Sequence, residues 1–387
     1  MLRVLTILGT RPEAIKLAPV LKELRGRKGQ VDSVLCVTAQ HRQMLDPFLS
    51  LFQLEPAVDL NLMEENQSPA SVTGRAIAAL TGVLERIKPD WVLVQGDTTT
   101  AMVGALAAFY GKIPVGHVEA GLRTQNRYSP FPEEMNRRLI GAIATYHFAP
   151  TRRAALALRR EGVPQKEIFI TGNTVIDAMQ WVVSQAPSAS ARNIFLKLGI
   201  DSNGAARKIQ DPPRLIIVTA HRRENLGGPL ENICDALREL ARHNPDVRIV
   251  YPVHLNPNVR ETVYRMLAGQ EHIFLVDPLP YESFAHLLKA SFLVLTDSGG
   301  IQEEAPALGK PVLVLRSETE RPEAAEAGAA RVIGTSAEKI IHETQKLLSD
   351  EDEYRRMAQA VNPYGDGRAS QRIVAVLLGA AGLVSRD

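Results

Sequence analysis

The sequence offers little to several functional classes. Only two cysteines occur, Cys36 in an apolar strand-like run and Cys234 in a helical pattern. That argues against a disulfide framework or a zinc site and predicts two reduced, structural thiols. The formal net charge is +2, too small to draw a nucleic acid or a membrane surface by bulk electrostatics. The longest apolar stretch, residues 373–384, is too short to cross a bilayer and contains glycines. The chain enters a strand pattern at residues 2–8 without a secretion-signal profile, so a cytosolic, cytoplasmic protein is expected. It shows no internal repeat or low-complexity tract. What is there is an ordinary globular composition, 45% hydrophobic and 23% charged. Its 387 residues are too many for one core and suit two domains.

Short β-branched runs alternate with longer helical patterns, the signature of parallel sheets built from βαβ units. Strands are predicted at residues 4–8, 33–38, 91–95, 115–118 and 147–149, with helices between them such as 14–25 and 101–110. A second series follows at 168–171, 215–219, 248–253, 273–276, 292–295 and 312–315. The expected fold class is α/β, with two Rossmann-like doubly wound domains facing a central cleft. The boundary is placed near Gly172, giving an amino-terminal domain of 1–171 and a second of 172–367. Residues 187–213, rich in Ser, Ala, Asn and Pro, are expected to be an irregular connection. Asn362-Pro363-Tyr364-Gly365-Asp366-Gly367 breaks the chain before a last helix, 370–378, in a tail (368–387) expected to rejoin the first domain.

In open α/β sheets ligands sit beyond the carboxyl ends of the strands, and the unusual polar residues here follow strand ends. Gly9-Thr10-Arg11-Pro12 turns the first strand into a helix whose free N–H groups, with Arg11 and Lys16, suit an anion. A capped, solvated helix start explains it equally well, because the turn carries neither a G-x-G-x-x-G nor a P-loop pattern. The counterpart is Asp297-Ser298-Gly299-Gly300. Gly299 and Gly300 let a diphosphate approach the backbone, the Ser298 hydroxyl donates, and Glu304 one turn on can accept from ribose hydroxyls.

Three acids, Asp97, Glu119 and Glu133, form a third group. Asp97 also suits a helix cap, and Glu133 suits a helix start and an i,i+4 pair with Arg137. Glu119 ends an apolar strand run and has less structural excuse; three acids on one sheet edge lean towards chemistry. His221, in Ala220-His221-Arg222-Arg223, joins a switchable donor and acceptor to phosphate-pairing arginines. His117 near Glu119 suggests a metal, but no further ligand has suitable spacing, so neither metal nor cofactor is expected.

A basic diphosphate site in one domain and carboxylates in the other fit a sugar linked through C1 to a nucleoside diphosphate. Once the C1–O bond breaks, C1 gains oxocarbenium character and the C2 hydrogen becomes acidic. The anion site stabilises the leaving charge, and carboxylates remove the proton from one face and return one to the other. Here the motifs become specific. Gly9-Thr10-Arg11-Pro12-Glu13, Gly96-Asp97-Thr98-Thr99-Thr100, His117-Val118-Glu119-Ala120-Gly121-Leu122-Arg123, Thr171-Gly172-Asn173-Thr174, His221-Arg222-Arg223-Glu224, Asp297-Ser298-Gly299-Gly300 and Glu320-Arg321-Pro322-Glu323 occur in that order. Over nearly its whole length the chain resembles the non-hydrolysing UDP-N-acetylglucosamine 2-epimerases of bacteria.

The resemblance implies a GT-B-like pair of domains and reversible conversion of UDP-GlcNAc to UDP-ManNAc, through 2-acetamidoglucal plus UDP. It implies catalysis by Asp97, Glu119 and Glu133 with support from His221, and a UDP and sugar site lined by Arg11, Lys16, Arg137, Ser298, Gly299, Gly300 and Glu304. Phe284 becomes a uracil contact on the same grounds. It also implies a homodimer and activation by a second UDP-GlcNAc at Gln40, Gln43, Arg222 and His254, although Asn66 stands where some relatives carry arginine. Three alternatives stay open: a hydrolysing epimerase releasing free ManNAc, a retaining GT-B glycosyltransferase, and a sensor without turnover. The glycosyltransferase needs a second glutamate where this chain has Thr296, and mere sensing does not need three acids beside a diphosphate.

Overall fold

The apolar runs form strands that are covered on both faces. Every residue of Trp91–Gln95 and of Val115–Val118 is buried, as befits central strands of a parallel sheet. The structure, a computed structural model, describes residues 1–38, 42–62, 68–199 and 213–382, and of 42–44 the backbone alone. It divides into two compact units: residues 1–178 with the chain from Tyr364 on, and Met179–Pro363.

The first unit holds β1 (Leu2–Leu8), β2 (Val31–Val37), β3 (Val58–Asp59), β4 (Trp91–Gln95), β5 (Val115–Val118), β6 (Tyr146–Ala149) and β7 (Ile168–Ile170). All pair in parallel, in the order β3-β2-β1-β4-β5-β6-β7. The second holds β8 (Arg214–Thr219), β9 (Val247–Pro252), β10 (Ile273–Val276), β11 (Leu293–Thr296), β12 (Val312–Val314) and β13 (Ala330–Val332). Its order is β10-β9-β8-β11-β12-β13, again all parallel. In both sheets the chain winds outward through three strands, then returns to the first and winds the other way. The crossovers at β1/β4 and β8/β11 therefore leave a crevice at the carboxyl ends of those strands. The α/β class with two doubly wound units is borne out.

Each expected strand forms, with ends shifted by at most two residues. Three features differ from expectation. The run at 168–170 does not open the second series but hydrogen-bonds to β6 as the last strand of the first sheet. Strands β3 and β13 were not expected, being two and three residues long at sheet edges, too short to show a period. The stretch 187–213 contains the helix Ala189–Lys197, whose N-cap Ser188 accepts from Ala191 N at 3.1 Å. Ala191, Phe195 and Leu198 bury one face of it, a helical spacing that the Pro- and Ser-rich composition masked. Residues 200–212 lie outside the described residues.

The helix Thr174–Ser184 carries the chain across the division at Ala178 and Met179. The tail helix Ala369–Ala380 packs on the helix Arg11–Gly26 within the first unit. Asp177 caps its start, accepting from Ser370 N at 2.8 Å, from Ala369 N at 3.2 Å and from the Ser370 hydroxyl. Cys36 and Cys234 are both free and buried, and burial pushes each thiol up to about 12. No helix among the described residues is long and apolar enough to cross a membrane.

Candidate active site

The crevice of the first unit begins with a glycine that packing demands. A Cβ at Gly9 would lie 2.3 Å from Thr38 Oγ1 and 2.5 Å from Thr100 Oγ1, two hydroxyls that bond each other at 3.0 Å across the carboxyl ends of the sheet. The next helix start is already occupied. The buried Glu13 carboxylate accepts from Gly9 N (3.1 Å), Thr10 N (2.8 Å), the Thr10 hydroxyl (2.7 Å) and the Thr98 hydroxyl (2.7 Å). Burial raises its pKa against those bonds. This narrows the anion reading of the turn, because two of its N–H groups are spent internally. Arg11 lies over the Phe48 ring, 5.9 Å from its centroid.

Lys16 points elsewhere. Its ammonium lies 2.5 and 2.6 Å from the two carboxylate oxygens of Glu119. Glu119 is buried and holds a left-handed backbone, φ 63°, that a side chain of this type adopts only when its surroundings enforce it. The enforcement is visible: Gln95 and Asn173 donate to the same carboxylate, Asn173 at 3.0 Å. Asp97 follows Gly96, whose φ of 72° turns the chain off β4. Arg137 donates to the Asp97 carboxylate, and Asn136 Nδ2 donates to its carbonyl at 2.9 Å. Burial raises the Asp97 pKa, Arg137 pulls it back, and the neighbouring Glu119 charge pushes it up again. Lys16, Asp97, Glu119 and Arg137 are thus one electrostatic group.

Glu133 begins the helix Glu133–Ile143, one turn before Arg137. Among the described residues its buried Oε2 has no hydrogen-bond partner. The expected Glu133–Arg137 pair does not form. Arg137 instead reaches Asp97 and, at 3.4 Å, Glu134. Glu134 also accepts from Thr124 N and Arg138 Nε, both at 3.0 Å, and although burial opposes them these partners hold its carboxyl below the ordinary range. His117 turns inward, pairs through Nε2 with Gly96 O at 2.7 Å, and is held by burial down to about 3.

In the second unit Asp297 organises the crevice. Fully buried, its Oδ2 accepts from His221 N and Arg222 N, both at 2.7 Å, and from Asn225 Nδ2 at 3.0 Å. Beneath it Thr219 and Thr296 bond hydroxyl to hydroxyl at 2.6 Å. The His221 Nδ1 stands 3.5 Å from Asp297 Oδ1, and its ring stacks on His254 at 5.0 Å. Burial lowers the His221 pKa, Asp297 opposes, and His254 and Arg222 lower it further.

Ser298 N-caps the short helix Gly299–Glu304, yet its hydroxyl makes no capping bond. Neither following glycine is required by the protein's own packing. Both have ordinary φ, a Cβ at Gly299 would meet only Arg222 Nη2 at 4.0 Å, and one at Gly300 would meet nothing within 4 Å. Arg222 Nε is buried without a hydrogen-bond partner beside this turn. Half-buried Glu304 ends that helix, close enough to Tyr281 for its charge to raise the phenol further above its ordinary value after burial. Half-buried Phe284 lies on the first turn of the same helix as Tyr281.

The sequence motifs did not single out Gln95, Asn136, Glu134, Asn173 or Asp297 for these contacts. Gln95 carried a signal, a polar residue ending an apolar strand, and Asn173 lay within a noted motif. Gln40 and Asn66 lie outside the described residues, as does the side chain of Gln43. Among the described residues no group of three or more His, Cys, Asp or Glu side chains is arranged to hold a metal ion.

Comparison with known proteins bears on this arrangement. Residues 22–378 match a family model described as UDP-N-acetylglucosamine 2-epimerase. A curated protein of that name from Escherichia coli K12 is 51% identical over 376 residues, covering 97% of this chain and 98% of the relative. A crystal structure of UDP-GlcNAc 2-epimerase from Neisseria meningitidis, bound to UDP-GlcNAc, is 47% identical with TM-score 0.82, covering 98% of this chain and 100% of that one. The Methanocaldococcus jannaschii enzyme, in complex with UDP-GlcNAc and UDP, is 35% identical with TM-score 0.74 over 98% and 100% of the two chains.

Proposed function

The chain belongs to the UDP-N-acetylglucosamine 2-epimerase family, a family of enzymes, and from that premise we propose that it interconverts UDP-GlcNAc and UDP-ManNAc by elimination and re-addition. The observation that carries the reading is the carboxylate pair of the first unit. Glu119 is clamped by Lys16, Gln95 and Asn173 in a left-handed backbone, beside Asp97, which is paired with Arg137. Two carboxylates with different partners are what proton removal and proton return at one carbon require.

In the proposed reaction the C1–O bond breaks, its electron pair leaves on UDP, and the C2 proton passes to a carboxylate, giving 2-acetamidoglucal. A UDP oxygen then re-adds to C1, and a carboxylic acid delivers a proton to the other face of C2. Taken by itself, the second unit offers these groups to a nucleotide: Ser298 with its uncommitted hydroxyl, the open turn at Gly299 and Gly300, and Arg222 for the diphosphate. Glu304 accepts from the ribose and Phe284 packs on the uracil in this reading. Glu133, with an unpartnered buried oxygen, is the third candidate acid, and His221 supports the leaving diphosphate. Regulation by a second UDP-GlcNAc through Arg222 and His254 is part of the proposal, favoured by the His254 ring stacked on His221. So is a homodimer, favoured by Met135 and Leu139, exposed four positions apart on one helix.

Incubation of the protein with UDP-GlcNAc in D2O, followed by proton NMR, tests the reaction. Deuterium at C2 together with UDP-ManNAc is expected. Free ManNAc would replace re-addition by hydrolysis, and unchanged substrate would refute epimerisation.

A further inference from the structure

The Thr171-Gly172-Asn173 segment enters the reaction above only through its contact with Glu119, and that contact joins the carboxylate group to a second part of the fold. Asn173 is buried, and its bonds include contacts to three separate parts of the first unit. Its amide Nδ2 donates to Glu119 Oε1 at 3.0 Å, its Oδ1 accepts from Val175 N at 3.1 Å, and its backbone N donates to Tyr364 O at 2.6 Å. The second bond fixes which way the side-chain amide faces. With Oδ1 committed to the first turn of the helix Thr174–Ser184, only the NH2 end is left to meet Glu119. The third bond ties the same residue to the point where the chain re-enters the first unit. That contact is tight: a Cβ at Gly172, φ 90°, would lie 3.2 Å from both Gly365 Cα and Tyr364 O. The segments by which the chain leaves and re-enters the first unit are therefore fastened together at Asn173, and Asn173 is fastened to Glu119.

We propose that Asn173 is a positioning residue, holding the Glu119 carboxylate in its reactive orientation and tying it to the junction formed with Tyr364. The inference rests on the reading of Glu119 as catalytic. A neutral donor aimed at a buried carboxylate favours the ionised form and one rotamer; Gln95 does so at Oε2 and Asn173 at Oε1. Lys16 contacts both oxygens and supplies charge; Asn173 contacts one and supplies direction.

Two substitutions separate positioning from folding. Asn173→Ser keeps an acceptor for Val175 N but is too short to reach Glu119. Asn173→Asp keeps the shape and the cap while setting a second negative charge against Glu119. Expected for Asn173→Ser is a fall in kcat of about tenfold or more with KM nearly unchanged, the loss of one hydrogen bond to a charged group. Expected for Asn173→Asp is a larger fall, with the acid limb of kcat moved to higher pH because like charge disfavours the ionised carboxylate. Thermal melting and UDP binding are measured in parallel. Wild-type kcat and pH profile in both variants, with Glu119→Gln inactive, would overturn the positioning role alone. Activity retained in Glu119→Gln would remove the reading beneath it. Losses that track melting temperature, with no movement of the acid limb, would make Asn173 purely structural.

Discussion

Replacing Arg137 with methionine isolates the electrostatics of the first unit from its packing, since the stem volume is largely kept. The Arg137 side chain is 10% exposed, that of Asp97 28% and that of Glu134 0%, so the guanidinium serves two carboxylates largely out of water. Breaking a buried pair by removing one partner costs about 3–5 kcal/mol. Partial exposure of Asp97 screens its share. Glu134 keeps Thr124 N and Arg138 Nε, each at 3.0 Å. A net loss of about 2–4 kcal/mol is expected, or roughly 5–15 °C in melting temperature for a unit of this size.

The pH dependence has a definite sign. Asp97 already has a raised pKa in the fold, so it binds its proton more tightly folded than unfolded. Its ionisation therefore subtracts stability as pH rises through the folded value, and subtracts nothing below about pH 3.9. Without Arg137 the folded value climbs further and the subtraction grows. Glu134 works in the same direction. Its depressed pKa contributes stability that is present above its unfolded value and lost as pH falls, and Arg137 is one source of it. The destabilisation, read from urea titrations followed by circular dichroism, is thus larger at pH 7.5 than at pH 4.5. Adding Asp97→Asn to the variant removes the stranded charge and restores part of the loss. Equal losses at both pH values, with no recovery in the double variant, would refute the account.

Two further outcomes are expected. Glu119→Gln retains UDP binding by calorimetry while turnover falls about a hundredfold or more, the scale of a lost acid–base group; full turnover would remove Glu119 from the chemistry. Gly300→Ala leaves the melting temperature unchanged, since no protein atom lies within 4 Å of the new Cβ. If a diphosphate occupies that space, UDP affinity falls about five- to hundredfold through a clash of about 1–3 kcal/mol; unchanged affinity would mean nothing binds over the turn.

How much of this was legible in the sequence depended on the range of the interaction. Strands read well because burial on both faces writes the signal into four to six consecutive residues, as in β4 and β8. Edge strands of two or three residues left no such mark, and the helix at Ala189–Lys197 was hidden by its composition. The candidate side chains were legible as types at strand ends, where the doubly wound topology opens its crevices.

Their partners were not legible, and the reason is geometric. Local spacing assigned Arg137 to Glu133, four residues away, because helix periodicity is the only proximity a sequence displays. Tertiary structure assigned it to Asp97, forty positions away, and assigned Lys16 to Glu119 across 103. An i,i+4 ion pair on a helix surface is worth only about 0.3–0.5 kcal/mol, whereas a desolvated carboxylate without a partner costs several. The buried Glu119 therefore takes Lys16, and Arg137 is shared between the fully buried Glu134 and the partly buried Asp97. The same argument explains Lys16: a lysine one turn into a helix beside an anion-binding turn reads as a phosphate ligand until a buried glutamate claims it. The energetics of this group are consequently those of mutual compensation among four charges, and removing Arg137, Glu119 or Lys16 must shift the titration of Asp97.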